Sequence, residues 1–249
     1  MIAIDRLTLT LGGRTVLNDV NVAFERGRVT AIIGPNGAGK TSLIRTLAGL
    51  LPGAVQLDGQ PLAALSSLER AWRIGYLPQD GEPAWNITAR ELVALGRLPH
   101  RNRLAAPSTA DAEAIAAALA ATDTTQFADR TIDTLSGGER ARVKMARVLA
   151  GDPDWILADE PLANLDPPHQ RDMLALLRAA ARAGKGAVAI LHQLDAAALA
   201  DDVLILKNGS KIAFGPVREV MTPANLEIAF GMAFDVIAHQ GRIAILPRA

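Results

Sequence analysis

Gly34-Pro35-Asn36-Gly37-Ala38-Gly39-Lys40-Thr41 fits the pattern G-x-x-x-x-G-K-[ST]. Before it, Val29-Thr30-Ala31-Ile32-Ile33 is an apolar run that suits a strand buried on both faces. After it, residues 40–50 place Leu43, Ile44 and Leu47 at helical spacing. A glycine-rich turn between strand and helix lets backbone N–H groups converge on phosphate oxygens with no Cβ in the way. The helix N-terminus adds partial positive charge. Lys40 then reaches β- and γ-phosphates, and the Thr41 hydroxyl ligates Mg²⁺. From this composition the pattern arises by chance on the order of 0.003 times in the chain. A glycine-rich turn with an exposed lysine is the plain alternative, and the strand–turn–helix context argues against it.

The chain around this stretch has 249 residues, enough for one large domain or two small ones. With 49% hydrophobic and 21% charged residues it is ordinary for a globular protein. Lys+Arg and Asp+Glu are both 26, so there is no overall basic excess for replacing phosphate counterions on a nucleic acid. Aromatics are 4%, too few for a single-strand stacking platform. The absence of cysteine excludes a disulfide framework and thiolate metal sites, and makes a reducing compartment the easier setting. No run approaches the roughly 18 apolar residues of a spanning helix. The opening MIAIDRLTLT meets Asp5 and Arg6 at once, unlike a signal peptide, so an intracellular protein is expected.

Further along, LTLT at 7–10 alternates as a strand, and Asp58-Gly59 is a turn signal. In residues 80–110, Pro83, Pro99 and Pro107 interrupt short helical patterns. Residues 108–122 read as an Ala-rich helix capped by Ser108 or Thr109. Residues 136–150 read as a helix stopped by Gly151. WILA at 155–158 and AVAIL at 187–191 are two more buried-strand candidates. Between them Pro167-Pro168 opens a helix with Met173, Leu176, Leu177 and Ala180 on one face, ended by Gly184. VLIL, Asn208-Gly209 and KIAF read as a hairpin. The C-terminus stops soon after, leaving little room for a further regulatory domain. Helices alternating with apolar strands imply a mostly parallel sheet, whose ligands sit beyond the carboxyl ends of the strands. The three buried strands run into Gly34, Asp159-Glu160 and His192, which suggests one site.

A strand-end Asp159 suits Mg²⁺, and Glu160 beside it is placed to polarise an attacking water. Alone, such an acidic pair is most often a cap or a solvated turn. A lone His192 is more often structural, and the converging strand ends make it a γ-phosphate contact. Gln79 in Tyr76-Leu77-Pro78-Gln79 is a weak signal by itself. Leu135-Ser136-Gly137-Gly138-Glu139 is a capping box, and its helix end is also a second anion site. Two phosphate-type helix ends about 100 residues apart hint that two chains share the nucleotide.

GPNGAGKT (34–41), the Gln79 loop, LSGGE (135–139), WILADE (155–160), Asn164-Leu165-Asp166 and His192, in that order, make the chain resemble the ATP-binding subunit of ATP-binding cassette (ABC) transporters over essentially its whole length. The resemblance implies an α/β fold: a P-loop NTPase RecA-like core with an antiparallel β subdomain, about residues 1–79 and 151–249, and an inserted helical subdomain, about 80–150. It implies ATP and Mg²⁺ as cofactors, with Thr41, Gln79 and Asp159 at the metal. Glu160, His192 and Asp166 are implied for catalysis. Nucleotide contacts are implied for Leu11, Val16, Asn36, Gly37, Ala38, Gly39, Lys40, Thr41 and Ser42. Ser136, Gly137 and Gly138 are implied to act on the γ-phosphate across a head-to-tail homodimer, with Asp166 crossing the interface. The same resemblance implies separate transmembrane permease subunits and, indirectly, a substrate-binding protein. It implies no nucleic acid, and a peripheral place on the cytoplasmic face of the inner membrane.

Gly96-Arg97-Leu98-Pro99-His100-Arg101 after Ile87-Thr88 looks like the helical subdomain of importers for ferric siderophores, haem, cobalamin and related metal complexes. Its bland reading is a Pro-ended helix with a basic tail. The alternatives are the ATPase of another ABC transporter class, or a soluble ABC-type ATPase working on nucleic acid or ribosomes. Against the latter stand the single cassette and the zero net charge. Three positions depart from the family pattern: Leu11 stands where an aromatic usually stacks on adenine, Glu139 replaces the commoner Gln, and Gln193 follows His192 where Asp is common.

Overall fold

The structure, a computed structural model, describes residues 1–79, 86–101, 106–239 and 242–248. The expected break at Pro83 and the start of the helical subdomain at residue 80 lie outside the described residues.

The N-terminal strands β1 (Ile2–Leu11) and β2 (Arg14–Phe24) form an antiparallel hairpin. The LTLT alternation resolves as expected, with Leu7 and Leu9 buried and Thr8 and Thr10 outward. Gly12 and Gly13 close the hairpin with φ 55° and 76°, the two left-handed residues that a two-residue turn needs. The fully buried β3 (Val29–Ile33) leads through residues 34–39 into α1 (Lys40–Leu47). Next come β4 (Val55–Leu57), β5 (Gln60–Pro61), α2 (Ser67–Arg73) and β6 (Ile74–Leu77). Helices α3 (Ala89–Ala94), α4 (Thr109–Ala121) and α5 (Gly137–Ala150) follow. The chain then alternates through β7 (Trp155–Ala158), α6 (Pro167–Arg182), β8 (Gly186–Ile190), α7 (Leu194–Ala197) and β9 (Asp202–Lys207). It ends in β10 (Ser210–Pro216), α8 (Val217–Val220), α9 (Pro223–Phe230) and a hairpin of β11 (Phe234–His239) and β12 (Arg242–Pro247).

A six-stranded sheet in the order β10-β9-β3-β8-β7-β6 is the spine; all its pairings are parallel except β10 with β9. Both faces are covered, so its strands read as unbroken apolar runs rather than alternating ones. Ile32, Val188 and Leu204 pack toward α1 and a second, four-stranded antiparallel sheet in the order β2-β1-β4-β5. Ala31, Ile33 and Ile205 pack on the opposite side with Met173, Leu177 and Leu226. A third apolar cluster joins Val93, Leu119, Val143 and their neighbours on α3, α4 and α5. Among the described residues no helix is long and apolar enough to cross a membrane.

The 95–100 stretch forms a 3₁₀ turn with Pro99 inside it rather than a Pro-ended helix with a basic tail, and its Arg97 and His100 are bonded inside the molecule. Arg97 donates to Asp111 Oδ1 (2.9 Å) and to the carbonyl of Ala150 (3.0 Å), and His100 Nε2 meets the carbonyl of Gly151 (2.8 Å). The turn therefore staples the end of α5 to the start of α4. The backbone N–H of Ser108, the Arg97 guanidinium and the Ser108 hydroxyl hold the Asp111 carboxyl down at about 2.

Gly151 follows the last residue of α5, as read from the sequence; it is right-handed at φ −68°, and Asp152 after it takes the left-handed conformation at φ 47°. Two readings change in the structure. The third buried strand runs 186–190, starting one residue earlier than AVAIL, because Gly186 pairs with Trp155. Residues 217–239 and 242–247, to which the sequence reading assigned no elements, add two helices and a hairpin, and Leu226, Phe234 and Ile245 belong to the main core. Their signals were Thr222 capping α9 with Pro223 at its first turn, and left-handed Gly231 after it.

Gly186 lies flat against the indole of Trp155, and a Cβ there would fall inside the buried ring. Gly186→Ala is therefore expected to cost about 1–3 kcal/mol through overpacking. The measurement is the urea midpoint; an unchanged midpoint would show that the ring can retreat.

Candidate nucleotide site

The 34–41 loop is pinned from two sides. A Cβ on Gly39 would stand 2.7 Å from both the carbonyl of Val16 and Cδ2 of Leu17, so β2 closes directly on the loop. Gly39 also takes φ 95°, open to glycine at little cost. On the other side, Gly209 in the β9–β10 turn donates to the carbonyl of Ala38 (3.1 Å) and accepts from the N–H of Asn18 (2.8 Å). No side chain caps α1, and its first turn holds no acidic residue. Its orphan N–H groups, at Lys40, Thr41 and Ser42, are thus left to an external anion, with Asn36 and Gly37 in the loop before them; the Ala38 N–H is taken by the carbonyl of Pro35 (3.2 Å). Lys40 is 6% exposed, and its ammonium donates to the carbonyls of Gly34 (2.8 Å) and Pro35 (2.9 Å). Burial pushes its pKa down, and the charges of Glu160 and Asp159 pull it back up.

Strands β6, β7 and β8 are parallel neighbours, so the residues that follow them stand in a row. After β7, Asp159 is fully buried; its Oδ1 accepts from the Thr41 hydroxyl (3.2 Å) and its Oδ2 from the Tyr76 hydroxyl (3.2 Å). Burial raises its pKa, opposed by those two hydrogen bonds. Glu160 comes next, in the left-handed region at φ 54°. Such strain costs on the order of 1–3 kcal/mol and persists only when its surroundings enforce it. Those surroundings are Gln79, donating to Oε2 at 2.7 Å from beyond β6, and His192, whose Nε2 stands 2.5 Å from Oε1 beyond β8. Of the three strand endings read from the sequence, His192 thus meets Glu160, and Gln79 joins them; the carbonyl of Gly34 accepts from Lys40 instead.

Thr41 and Asp159 offer hard oxygen donors to a divalent cation. Among the described residues no group of three or more His, Cys, Asp or Glu is arranged to hold a metal alone. That donor set fits a Mg²⁺ whose remaining ligands are phosphate and water. Gln79 is bonded to Glu160 rather than to Asp159 or Thr41.

Ser136 caps α5, accepting from the N–H of Glu139 (3.3 Å) while Glu139 Oε2 accepts from the N–H of Ser136 (2.8 Å). The Glu at 139 thus completes the capping box, a role a Gln also fills. Gly137 lines a cleft of about 420 Å³ with Gln79, Arg140, Glu160 and Asn164. Gly138 abuts the ring of His169. Asp166 caps α6 and is bonded to the backbone N–H and ring of His169. Leu11 ends β1 beside the Gly12-Gly13 turn, 36% exposed, and Val16 is half-buried with its carbonyl facing the loop. Sequence reasoning missed Tyr76 as a partner of Asp159; its one signal was its place in the strand that carries Gln79.

A family model described as "ABC transporter" matches residues 17–163. The hemin import ATP-binding protein HmuV of Rhodococcus jostii is 42% identical over 250 residues, spanning 98% of this chain and 85% of that protein. The ferric enterobactin transport ATP-binding protein FepC of Escherichia coli is 40% identical over 238 residues, spanning 94% and 88%. Among solved structures, a metal-chelate-type ABC transporter in an inward-facing conformation superposes with a TM-score of 0.84 at 25% identity, over 100% of this chain and 97% of that one. The matched cassettes include a dimer bound to ADP and phosphate.

An exposed apolar Leu11, on the hairpin whose Val16 and Leu17 meet the phosphate-type loop, offers contact but no π-face. Base–aromatic stacking is worth about 1–3 kcal/mol per base. Leu11→Tyr is expected to tighten ATP binding about 5–100-fold, read by nucleotide titration of both proteins. An unchanged dissociation constant in the folded variant would show that Leu11 does not face the base.

Proposed function

This chain belongs to the ABC transporter family as an ATP-binding subunit that hydrolyses ATP for transport, and from that premise we propose that it drives an importer of haem, a ferric siderophore or a related metal complex such as cobalamin. The observation that carries the cargo class is similarity of about 40% identity, over nearly the whole chain, to ATP-binding proteins of hemin import and ferric enterobactin transport. Cargo is chosen by the permease and a substrate-binding protein, and this subunit need not touch it. Deleting the gene should abolish growth on one metal complex as sole metal source, and restoring it should recover growth. Growth unaffected on haem, ferric siderophores and cobalamin alike would refute the cargo class.

In the proposed mechanism the backbone of residues 36–42 and the Lys40 ammonium hold the β- and γ-phosphates. Thr41 and Asp159, joined by Gln79 on leaving Glu160, would hold a Mg²⁺, which would supply charge neutralisation for the phosphates. Glu160 orients the attacking water and takes up its proton, and His192 contacts the γ-phosphate. Supporting this is the clamp on Glu160: Gln79 and His192 hold both oxygens of a carboxylate already turned out of its strand by φ 54°. Two copies close head to tail, so that Ser136, Gly137 and Gly138 of one reach the γ-phosphate on the other and Asp166 crosses between them. A capped but open α5 N-terminus supports that role.

ABC ATPases work as dimers in complexes with permease subunits; here the proposed form is a homodimer on the cytoplasmic face of the inner membrane. Residues 80–150 are proposed as its helical subdomain, with residues 1–79 and 151–249 as core and β subdomain; the separate apolar cluster of α3, α4 and α5 supports this.

Glu160→Gln is expected to keep ATP binding, to lower turnover by about 10²-fold or more, and to trap an ATP-bound dimer. Unchanged turnover with the permease present would sink the assignment. For the shared site, Ser136→Ala and Lys40→Ala subunits are each expected to be impaired. Mixing them makes dimers with one intact and one doubly broken site, and activity above either variant alone is expected. A mixture no more active than its parts, with mixed dimers shown to form, would count against sharing.

A further inference from the structure

Tyr76 is the one tyrosine of the chain. It stands on β6, three residues before Gln79, and its ring packs beside the core between the two sheets. Its hydroxyl donates to Asp159 Oδ2 at 3.2 Å, and burial raises the pKa of the same phenol, opposed by the nearby Arg45 guanidinium. Arg45 lies on α1, four residues after Thr41 and so on the same helical face. Thr41 holds the other oxygen of the same carboxylate, Oδ1, also at 3.2 Å. The two oxygens of Asp159 are therefore held from two elements, by Thr41 of α1 and by Tyr76 of β6. The backbone carbonyl of Tyr76 accepts from Arg147 Nη2 at 3.0 Å. Arg147 lies on α5, the helix that begins at Gly137 and Gly138.

We propose that Tyr76 is a positioning residue for Asp159: its hydroxyl sets the rotation of the carboxylate so that Oδ1 faces Thr41 and the cation between them, and Arg147 ties that setting to α5. The inference rests on the reading of Asp159 as a metal ligand. A carboxylate turns freely about its last torsion, whose rotamers are broad. A donor on the far oxygen removes that freedom before the metal arrives. Outer partners of this kind are worth about 10–100-fold in metal affinity, and a bond as long as 3.2 Å belongs at the lower end.

The test uses the full chain and a non-hydrolysable ATP analogue, titrated once with Mn²⁺ and once in EDTA. The ratio of the two affinities is the gain due to metal. Tyr76→Phe keeps the ring and is expected to cut this gain about 10-fold, leaving the EDTA affinity within about twofold. Arg45→Gln, at an exposed position, is expected to cut it about threefold and serves if Tyr76→Phe does not fold. Asp159→Asn is the reference. If it cuts the gain and neither Tyr76→Phe nor Arg45→Gln does, the inference about Tyr76 is overturned and the metal site stands. If Asp159→Asn keeps the full gain, the metal-ligand reading itself falls, and this inference with it. A Tyr76→Phe protein that loses affinity equally with and without Mn²⁺ has an unchanged gain, which marks a structural role and overturns the proposal.

Discussion

Two carboxylates one residue apart must face different ways and keep different company. Asp159 and Glu160 sit in succession at the end of β7, and the charge on Glu160 helps push the pKa of Asp159 up. Strand alternation begins their separation, since successive side chains leave opposite faces. The left-handed turn at Glu160 completes it. Asp159 goes inward to Thr41 and Tyr76, and Glu160 goes to the cleft between Gln79 and His192. The sheet order carries the rest: only with β7 between β6 and β8 can one carboxylate be clamped from both neighbours at once.

The second antiparallel sheet serves the same end. It brings Val16 and Leu17 against Gly39, and the β9–β10 turn brings Gly209 against Ala38. A phosphate-type loop has few side chains with which to hold itself, and its glycines give up much backbone freedom when ordered. Here two hairpins from opposite ends of the chain supply the contacts that the loop lacks. Contacts of this kind hold the loop in one shape, which lowers the ordering cost of binding.

How much of this was legible in the sequence depended on whether a signal was local. Strands buried on both faces announce themselves as apolar runs, so 29–33 and 155–158 were read to the residue. Caps are equally local, and Ser108, Ser136 and Asp166 each sit where a helix starts. The C-terminal helix and hairpin were missed because their apolar residues alternate weakly and gain meaning only against the main core. The site was legible as a set of motifs, but not as a geometry. No spacing says that Gln79 bonds Glu160 or that Tyr76 bonds Asp159; those facts follow from strand order, which the alternation of elements leaves open.

The burial of Asp159 has an energetic consequence that orders these observations. Its folded pKa lies above the ordinary carboxylate value, chiefly through desolvation. The sign follows: the folded state prefers the protonated acid, so as pH rises through the unfolded and then the folded pKa, this group takes stability away. At neutral pH the protein holds a carboxylate that its own interior disfavours, offset only in part by Thr41 and Tyr76. A cation at Asp159, as proposed above, removes that penalty. Part of the cost of folding the site is thus returned on binding, and the stability of this region rises with occupancy by mass action. An exposed aspartate would give up this link between metal, nucleotide and fold. The apolar strand that made Asp159 readable in the sequence is also what makes it responsive.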